Sequence, residues 1–381
     1  MPAYDVAVVG LGAMGAATLH DLARRGRRTI GLERFEPGHD RGSSHGESRL
    51  IRLAYFEDPA YVPLVRLAYR NWRALEAATG ARLLTVTGML EAGRAGSPIV
   101  QGSLRSAREH GLAHEQLTAA QIAARFPAFA LPADWEGLFQ PDGGVLQPEA
   151  AVRLYVRTAQ ALGAVVRTNT RVLGVAPTAA GGVRLDLGGG ETIEAGSVVV
   201  AAGPWIGELA PALAPHLRLT RQVLAWFQPS APALTGPKRF PGFLLETPDD
   251  VIYGFPDFLG TGVKAASHNA SGELAAADDA RAPAAAADID RILRPLQRFI
   301  PAAAGPVIRT DTCVYTRTVH EGDEHFILGP HTQWPQIVLA SPCSGHGFKF
   351  ASIIGEILAD LALTGTTDKP IDRFSPARFG A

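Results

Sequence analysis

Of the 36 basic residues only four are lysines, so each lysine position carries information. Lysine is a compact point charge on a flexible stem, whereas arginine is a planar fork. Lys238 (GPKRF) and Lys369 (TDKP) lie beside prolines in polar turns and read as solvated. Lys264 (GTGVKAASH) and Lys349 (SGHGFKF) lie in apolar, glycine-rich surroundings, where a fixed positive charge could meet a developing negative one; the plainer reading of Lys264 is a strand-end lysine. His268 follows Lys264 by four residues, a spacing that brings two cationic heads together on a helix and puts both side chains on one face of a strand. A satisfied surface histidine is the alternative there. Around Lys349, the run Ser344-Gly345-His346-Gly347 at a strand-to-helix junction is either a plain glycine turn or a backbone nest whose N–H groups can stabilise negative charge.

A third cluster is the polar loop GSSHGESR at residues 42–49, followed by Arg52. Arg49 and Arg52 stand a helical turn apart, and such cations could hold a carboxylate bidentately or stabilise an anionic ring. Cys313, in TCVY, reads from the residues alone as a small hydrophobe. The two cysteines, Cys313 and Cys343, have no CxxC spacing, which excludes a cysteine-based zinc site and fits a reducing compartment.

Something must bring these clusters together, and the N-terminus supplies it. YDVAVVGLGAMG places Gly10, Gly12 and Gly15 in a GxGxxG turn between an apolar run and an amphipathic stretch, and a second apolar run ends in Glu33, eighteen residues past Gly15. Gly10 permits the tight turn, Gly12 lets a pyrophosphate approach bare backbone, and Gly15 allows close helix–strand packing. A carboxylate at Glu33 can accept hydrogen bonds from an adenosine ribose. The fingerprint predicts a dinucleotide but does not separate NAD from FAD.

A chain of 381 residues predicts two domains. Its net charge of −1 argues against nucleic acid or an anionic membrane as the main partner. With the fingerprint starting at Tyr4 and no apolar run of membrane-span length, a cytoplasmic protein is expected. Helices are predicted over residues 61–77, 148–162, 289–299 and 348–363, and strands over 243–253, 262–267, 310–315 and 337–341. Residues 164–168, 171–175 and 183–187 read as a small meander leading to the buried strand and turn at 197–205; residues 211–241 read as proline-rich and irregular, and 272–287 as a low-complexity surface excursion or the start of the helix 289–299. The nucleotide-binding pattern at both ends, with a β-rich body between, predicts a discontinuous α/β domain (1–83, 147–217 and 319–381) carrying an inserted α+β domain (84–146 and 218–318).

The blocks GxGxxG…E, GSSHGESRLIRLAY, VVVAAGPW, FPGF, YGFP…GVK…H, TCVYT, DEHFILG and SGHGFKFAS, in that order and spacing, closely resemble the monomeric sarcosine oxidase and N-methyltryptophan oxidase family, from Tyr4 to the closing RFSPARF. The resemblance implies a Rossmann-like FAD-binding domain with an inserted antiparallel-sheet substrate domain, in a monomer. It implies FAD carried by Cys313 through a thioether to the flavin 8α-methyl, Arg52 and Lys349 clamping a substrate carboxylate, and Lys264 activating O₂. His45 and Arg49 would face the flavin, with Tyr253, His268 and Tyr315 as active-site walls and Leu244 at the substrate. Ala13, Met14, Arg34, Ser43, Ser44, Val172, Ala202, Gly203 and Trp205 join Gly10, Gly12, Gly15 and Glu33 in holding the cofactor, and Gly345, His346, Gly347 and Lys349 would meet the flavin pyrimidine edge. The implied reaction oxidises an N-methyl amino acid with O₂, sarcosine first and N-methyltryptophan or a bulkier or cyclic imino acid as alternatives. Leu53 and Phe56 depart from the family pattern, as do Pro342 and Cys343, which stand where relatives carry Gly-Phe; Cys343 reads as packing. An NAD-dependent dehydrogenase would explain the N-terminus and leave SGHGFK, TCVY and the second lysine without a role. A non-enzymatic nucleotide sensor would leave the convergent cations unexplained.

Overall fold

The computed structural model describes residues 3–269, 272–319 and 324–380. Asp323, which opens the DEHFILG block, lies outside them. The strand Tyr4–Val9 is buried on both faces from Val6 onward, Val6 and Val8 against a helical core, Ala7 and Val9 against Val183, Leu185, Ile206 and Leu213. It pairs in parallel with Thr29–Leu32 and with Glu191–Val200. Thr29–Leu32 continues in parallel to Val165–Arg167, and Glu191–Val200 to Ile337–Ser341. The helix Ala13–Arg24 crosses Ala351–Thr364 so closely that a Cβ at Gly355 would stand 2.6 Å from the Ala17 backbone.

A second, nine-stranded sheet runs in the order Glu273–Leu274, Leu217–Phe227, Val263–Ser267, Val251–Phe255, Gly242–Glu246, Met89–Arg94, Trp135–Gln140, Glu115–Thr118, with Val307–Thr318 also paired to Leu217–Phe227. A small sheet of Arg49–Ile51, Gly144–Leu146 and Leu84–Val86 lies beside them. One apolar core, with Trp72, Tyr61 and Phe350, fills the helical side of the parallel sheet. Another, with Phe129, Phe243 and Phe299, lies under the nine-stranded sheet.

The expectations need four corrections. Val165–Arg167 belongs to the parallel sheet, and the meander is instead Gly174–Pro177, Val183–Gly188 and the first half of Glu191–Val200. The stretch 211–241 is not irregular throughout, because the proline-free interval between Pro215 and Pro229 holds the eleven-residue strand Leu217–Phe227. Arg49 lies on a strand, Arg49–Ile51, so it and Arg52 are not a helical turn apart. The helix after SGHG starts as the 3-10 turn Phe348–Phe350 before Ala351–Thr364 becomes α-helical. The helices Pro98–Glu109, capped by the Ser97 side chain on Val100 N–H, and Ala119–Arg125 were not anticipated.

Candidate active site and cofactor cleft

The three fingerprint glycines occupy different kinds of space. Gly10 has φ +86°, and a Cβ there would stand 2.6 Å from Ala201 O; a Cβ at Gly15 would stand 1.8 Å from Gly10 O. At Gly12 the nearest atom to a Cβ is Ser44 Oγ at 3.7 Å, so the first turn of the helix opens onto empty space. Glu33 Oε2 accepts from Leu11 N–H (2.7 Å) and Oε1 from Phe35 N–H (2.9 Å). Burial would raise its carboxyl, but these bonds and His39 outweigh that and hold it below the usual range.

From this turn a cavity of about 1810 Å³, partly open to solvent, runs to the far clusters. Gly10, Gly12, Ala13, Met14, Glu33, Arg34, Ser43, Ser44, Arg49, Val172, Ala202, Gly203 and Trp205 line it, as do Gly345, His346, Gly347 and Lys349. Arg52, Leu244, Tyr253, His268 and Tyr315 line its other end, and so does Cys343, read above as packing. Gly15, His45, Lys264 and Cys313 are not on the wall. No group of three or more His, Cys, Asp or Glu suited to a metal ion occurs among the described residues.

Cys313 is fully buried on Val307–Thr318, with Arg49 Nη2 3.7 Å from its sulfur. Burial pushes the thiol up, but the charges of His45, Arg49 and Lys264 outweigh it and bring it down to about 7. His45 is pushed down by burial, yet Cys313 and Asp311, whose Oδ2 lies 3.4 Å from Nδ1, raise it to about 9. The surroundings are those of a thiolate–imidazolium pair. Arg49 itself donates to Ser48 O and Ser43 O, each at 2.8 Å.

Lys264 sits just behind the wall. Its Nζ donates to Gly46 O (2.6 Å), Ser48 O (3.0 Å) and Ser48 Oγ (3.1 Å), and burial with the nearby Arg49 charge pushes its pKa well down. The turn that holds it is left-handed at Gly46 and at Glu47, φ +66°. Glu149 Oε1 pins it by accepting from Gly46 N–H (2.6 Å) and Glu47 N–H (3.1 Å). His268, just past the strand Val263–Ser267, is lowered by burial, so it does not form the paired cation that the i,i+4 spacing allowed. Tyr253 and Tyr315 share a hydrogen bond between their hydroxyls at 3.1 Å.

Arg52 is ion-paired to Glu57 (2.8 Å) and to Glu91 (2.8 Å), its guanidinium against the rings of Tyr55 and Phe56 at 4.5 and 4.8 Å. Lys349 Nζ donates to His346 O (2.7 Å), and burial together with Arg52 brings it down to about 7. His346 Nδ1 shares a 2.5 Å hydrogen bond with Tyr55. The nest depends on its glycines: Gly345 has φ +79°, and a Cβ at Gly347 would meet Pro342 O at 1.7 Å. Glu57, Glu91, Gln140, Glu149 and Asp311 were missed by reading the sequence. Only Glu91 left a signal, as a lone acid inside the apolar strand Met89–Arg94.

A glycine turn under a parallel sheet, opening on a cleft with converging cations, defines a dinucleotide-dependent redox enzyme. Residues 5–361 match the FAD-dependent oxidoreductase family, to which the chain belongs, and relatives within it include sarcosine and N-methyltryptophan oxidases. The chain is 38% identical to a monomeric sarcosine oxidase of Streptomyces avermitilis, over 100% of this chain and 99% of that one. It is 33% identical to an N-methyl-L-tryptophan oxidase of Yersinia pestis, over 99% of each. Among solved structures it is similar to NikD, an unusual amino acid oxidase essential for nikkomycin biosynthesis, with TM-score 0.86, 29% identity, and 99% and 98% of the two chains covered. The open approach at Gly12 and the extent of the cavity fit FAD.

Proposed function

We propose that this enzyme oxidises the N-methyl group of an N-methyl amino acid, sarcosine first, with O₂ as the final acceptor, releasing formaldehyde, the primary amino acid and H₂O₂. The observation that carries this reading is the placement of Arg52 and Lys349 on one wall of the cavity that begins at Gly10 and Gly12. Bound FAD supplies the hydride acceptor. The chain supplies orientation and field. Arg52 and Lys349 hold the substrate carboxylate, which aims the N-methyl carbon at the flavin, while Tyr253, Tyr315 and His268 wall the reacting end. Lys264, fixed by the 46–48 turn, places positive charge beside the point where O₂ takes up electrons. Cys313, whose thiol His45 and Arg49 bring down to about 7, is the residue we assign to the covalent 8α link.

A monomer is supported by the names of the relatives. The discontinuous division at 1–83, 147–217 and 319–381 against 84–146 and 218–318 remains our domain assignment. Leu50, Phe56 and Leu244, with Met89 and Ile99 behind them, make one wall apolar. That wall favours, as a second reading, a bulkier N-alkyl or cyclic imino acid. Peroxide release from sarcosine, N-methyltryptophan and cyclic imino acids tests both. Formaldehyde and peroxide in equal amounts are expected from the best N-methyl substrate. Reduction of NAD, or flavin that no amino acid in the series reduces, would sink the proposal.

A further inference from the structure

Behind Arg52 lies a carboxylate with no assigned role. Glu91 is fully buried on the strand Met89–Arg94, and its Oε1 lies 2.8 Å from Arg52 Nε. Its Oε2 accepts from Gln140 Nε2 at 3.0 Å. Gln140 in turn accepts, through Oε1, from Leu53 N–H (3.1 Å) and Ala54 N–H (2.7 Å), the backbone directly after Arg52. An ion pair to the head group and hydrogen bonds to the following main chain thus meet at Glu91 and Gln140, the Oε1 contact being one of charge without a hydrogen bond. Glu57 occupies Nη2, and Nη1 has no hydrogen-bond partner among the described residues.

We propose that Glu91 is a positioning residue of the carboxylate clamp, its charge holding the Nε side of Arg52 so that the partnerless Nη1 is the nitrogen offered to a substrate carboxylate. This rests on the reading of Arg52 as the clamp. A guanidinium takes a carboxylate through the N–H groups still free, so the nitrogens already engaged decide the direction of approach. A buried ion pair is a weak source of stability. What this one sets is orientation, helped by the Tyr55 and Phe56 rings against the guanidinium. The charged and polar groups around Glu91 are Arg52, Glu57, Ser103, Gln140 and, further off, Lys349. Burial pushes its carboxyl up to about 7 against the Arg52 charge, so the anion is secure only above that pH.

Glu91→Gln keeps the shape and the Gln140 contact and removes the charge. Assayed as holoenzyme near pH 8.5, it should weaken acetate binding, read from the visible flavin spectrum, by about tenfold or more, and raise KM for an N-methyl amino acid similarly with a smaller change in kcat. Peroxide formation from a secondary amine lacking the carboxylate should change by less than about twofold. Gln140→Met, which frees Glu91 Oε2 without deleting a charge, should give the same split in smaller measure and serves if the first variant does not fold. Unchanged or tighter acetate binding, or equal losses for acid and amine, overturns the proposal. Arg52→Gln separates the two claims. If it leaves acetate affinity intact, the clamp reading itself fails; if it abolishes binding while Glu91→Gln does nothing, only Glu91 is wrongly assigned.

Discussion

Lys264 donates to three oxygens of the 46–48 turn, acceptors that fix its head beside the cavity and favour the ammonium form against the burial that pushes its pKa down. Replacing it with methionine keeps most of the volume and removes the charge. Reoxidation of the reduced flavin by O₂, followed by stopped flow, should slow by roughly 10²-fold or more, while reduction by substrate persists, because a preorganised charge acts where negative charge develops. Unchanged reoxidation refutes the oxygen-site role. At Cys313 the expected variable is pH. The thiol is lowered from its ordinary value near 9 to about 7, and His45 stays protonated to about 9, so the thiolate forms as pH rises through about 7. Covalent attachment in apoprotein given FAD should therefore be slow about one unit below 7 and fast about one unit above it, the thiolate being the nucleophile. His45→Asn removes the partner and should move that rise to higher pH. Acid-precipitated protein that stays yellow measures the attached fraction, and a pH-independent rate would contradict the thiolate assignment.

The first strand, glycine turn and helix test a contrast between two substitutions three residues apart. In Gly15→Ala the new methyl would stand 1.8 Å from Gly10 O, a backbone atom that cannot step aside, so helix and strand must separate. Overpacking of that kind costs about 1–3 kcal/mol or more, and the apoprotein should melt earlier. In Gly12→Ala the methyl meets nothing nearer than 3.7 Å, and φ −65° suits alanine, so the apoprotein should melt like the parent. Its loss should appear in FAD affinity alone, by about tenfold or more, since the methyl stands where a pyrophosphate approaches the helix N-terminus. Equal melting and equal affinity for both variants would defeat this account. The turn was legible because its causes are local: glycines at fixed spacing, apolar runs on either side, an acid in register. Leu217–Phe227 was not, because prolines at 211, 215, 229 and 232 masked an interval whose partner, Val307–Thr318, lies some ninety residues further on. The site divided the same way. Arg52, Lys264 and Lys349 stood out by residue type and setting. Glu57, Glu149 and Asp311 did not, because an acid acquires its role only when folding brings it to a particular cation or backbone N–H, and no spacing in the chain announces that meeting.

At the scale of the whole molecule the cavity has walls from both large sheets: Gly10, Glu33 and His346 from the parallel one and its turns, Leu244, Tyr253 and Tyr315 from the nine-stranded one. The excursion at 272–285 ties the two across the cofactor's expected path. Asp278 bonds both Nη atoms of Arg34 (2.7 and 3.0 Å) and Trp205 Nε1 (2.7 Å), while Arg281 reaches Thr312 O (2.6 Å), next to Cys313, and Asp40 O (2.7 Å). Arg34 and Asp278 are partly exposed, and such pairs contribute only about 0–1 kcal/mol each to the fold. Their effect should therefore show in cofactor retention more than in the apoprotein. A ligand that binds only the folded chain stabilises it by about 2.7 kcal/mol at a hundred times its Kd. In a Cys313→Ser background, where FAD can leave, the melting temperature should climb with added FAD, and both sheets should unfold in one transition. Adding Asp278→Ala should leave the FAD-free melting temperature within a degree or so and shift the FAD titration to several-fold higher concentration, because Arg34 and Trp205, both on the cavity wall, lose the group that orients them. If the two titrations superimpose, the excursion is no more than a surface loop; if the FAD-free protein falls with it, Asp278 belongs to the fold and not to the cofactor.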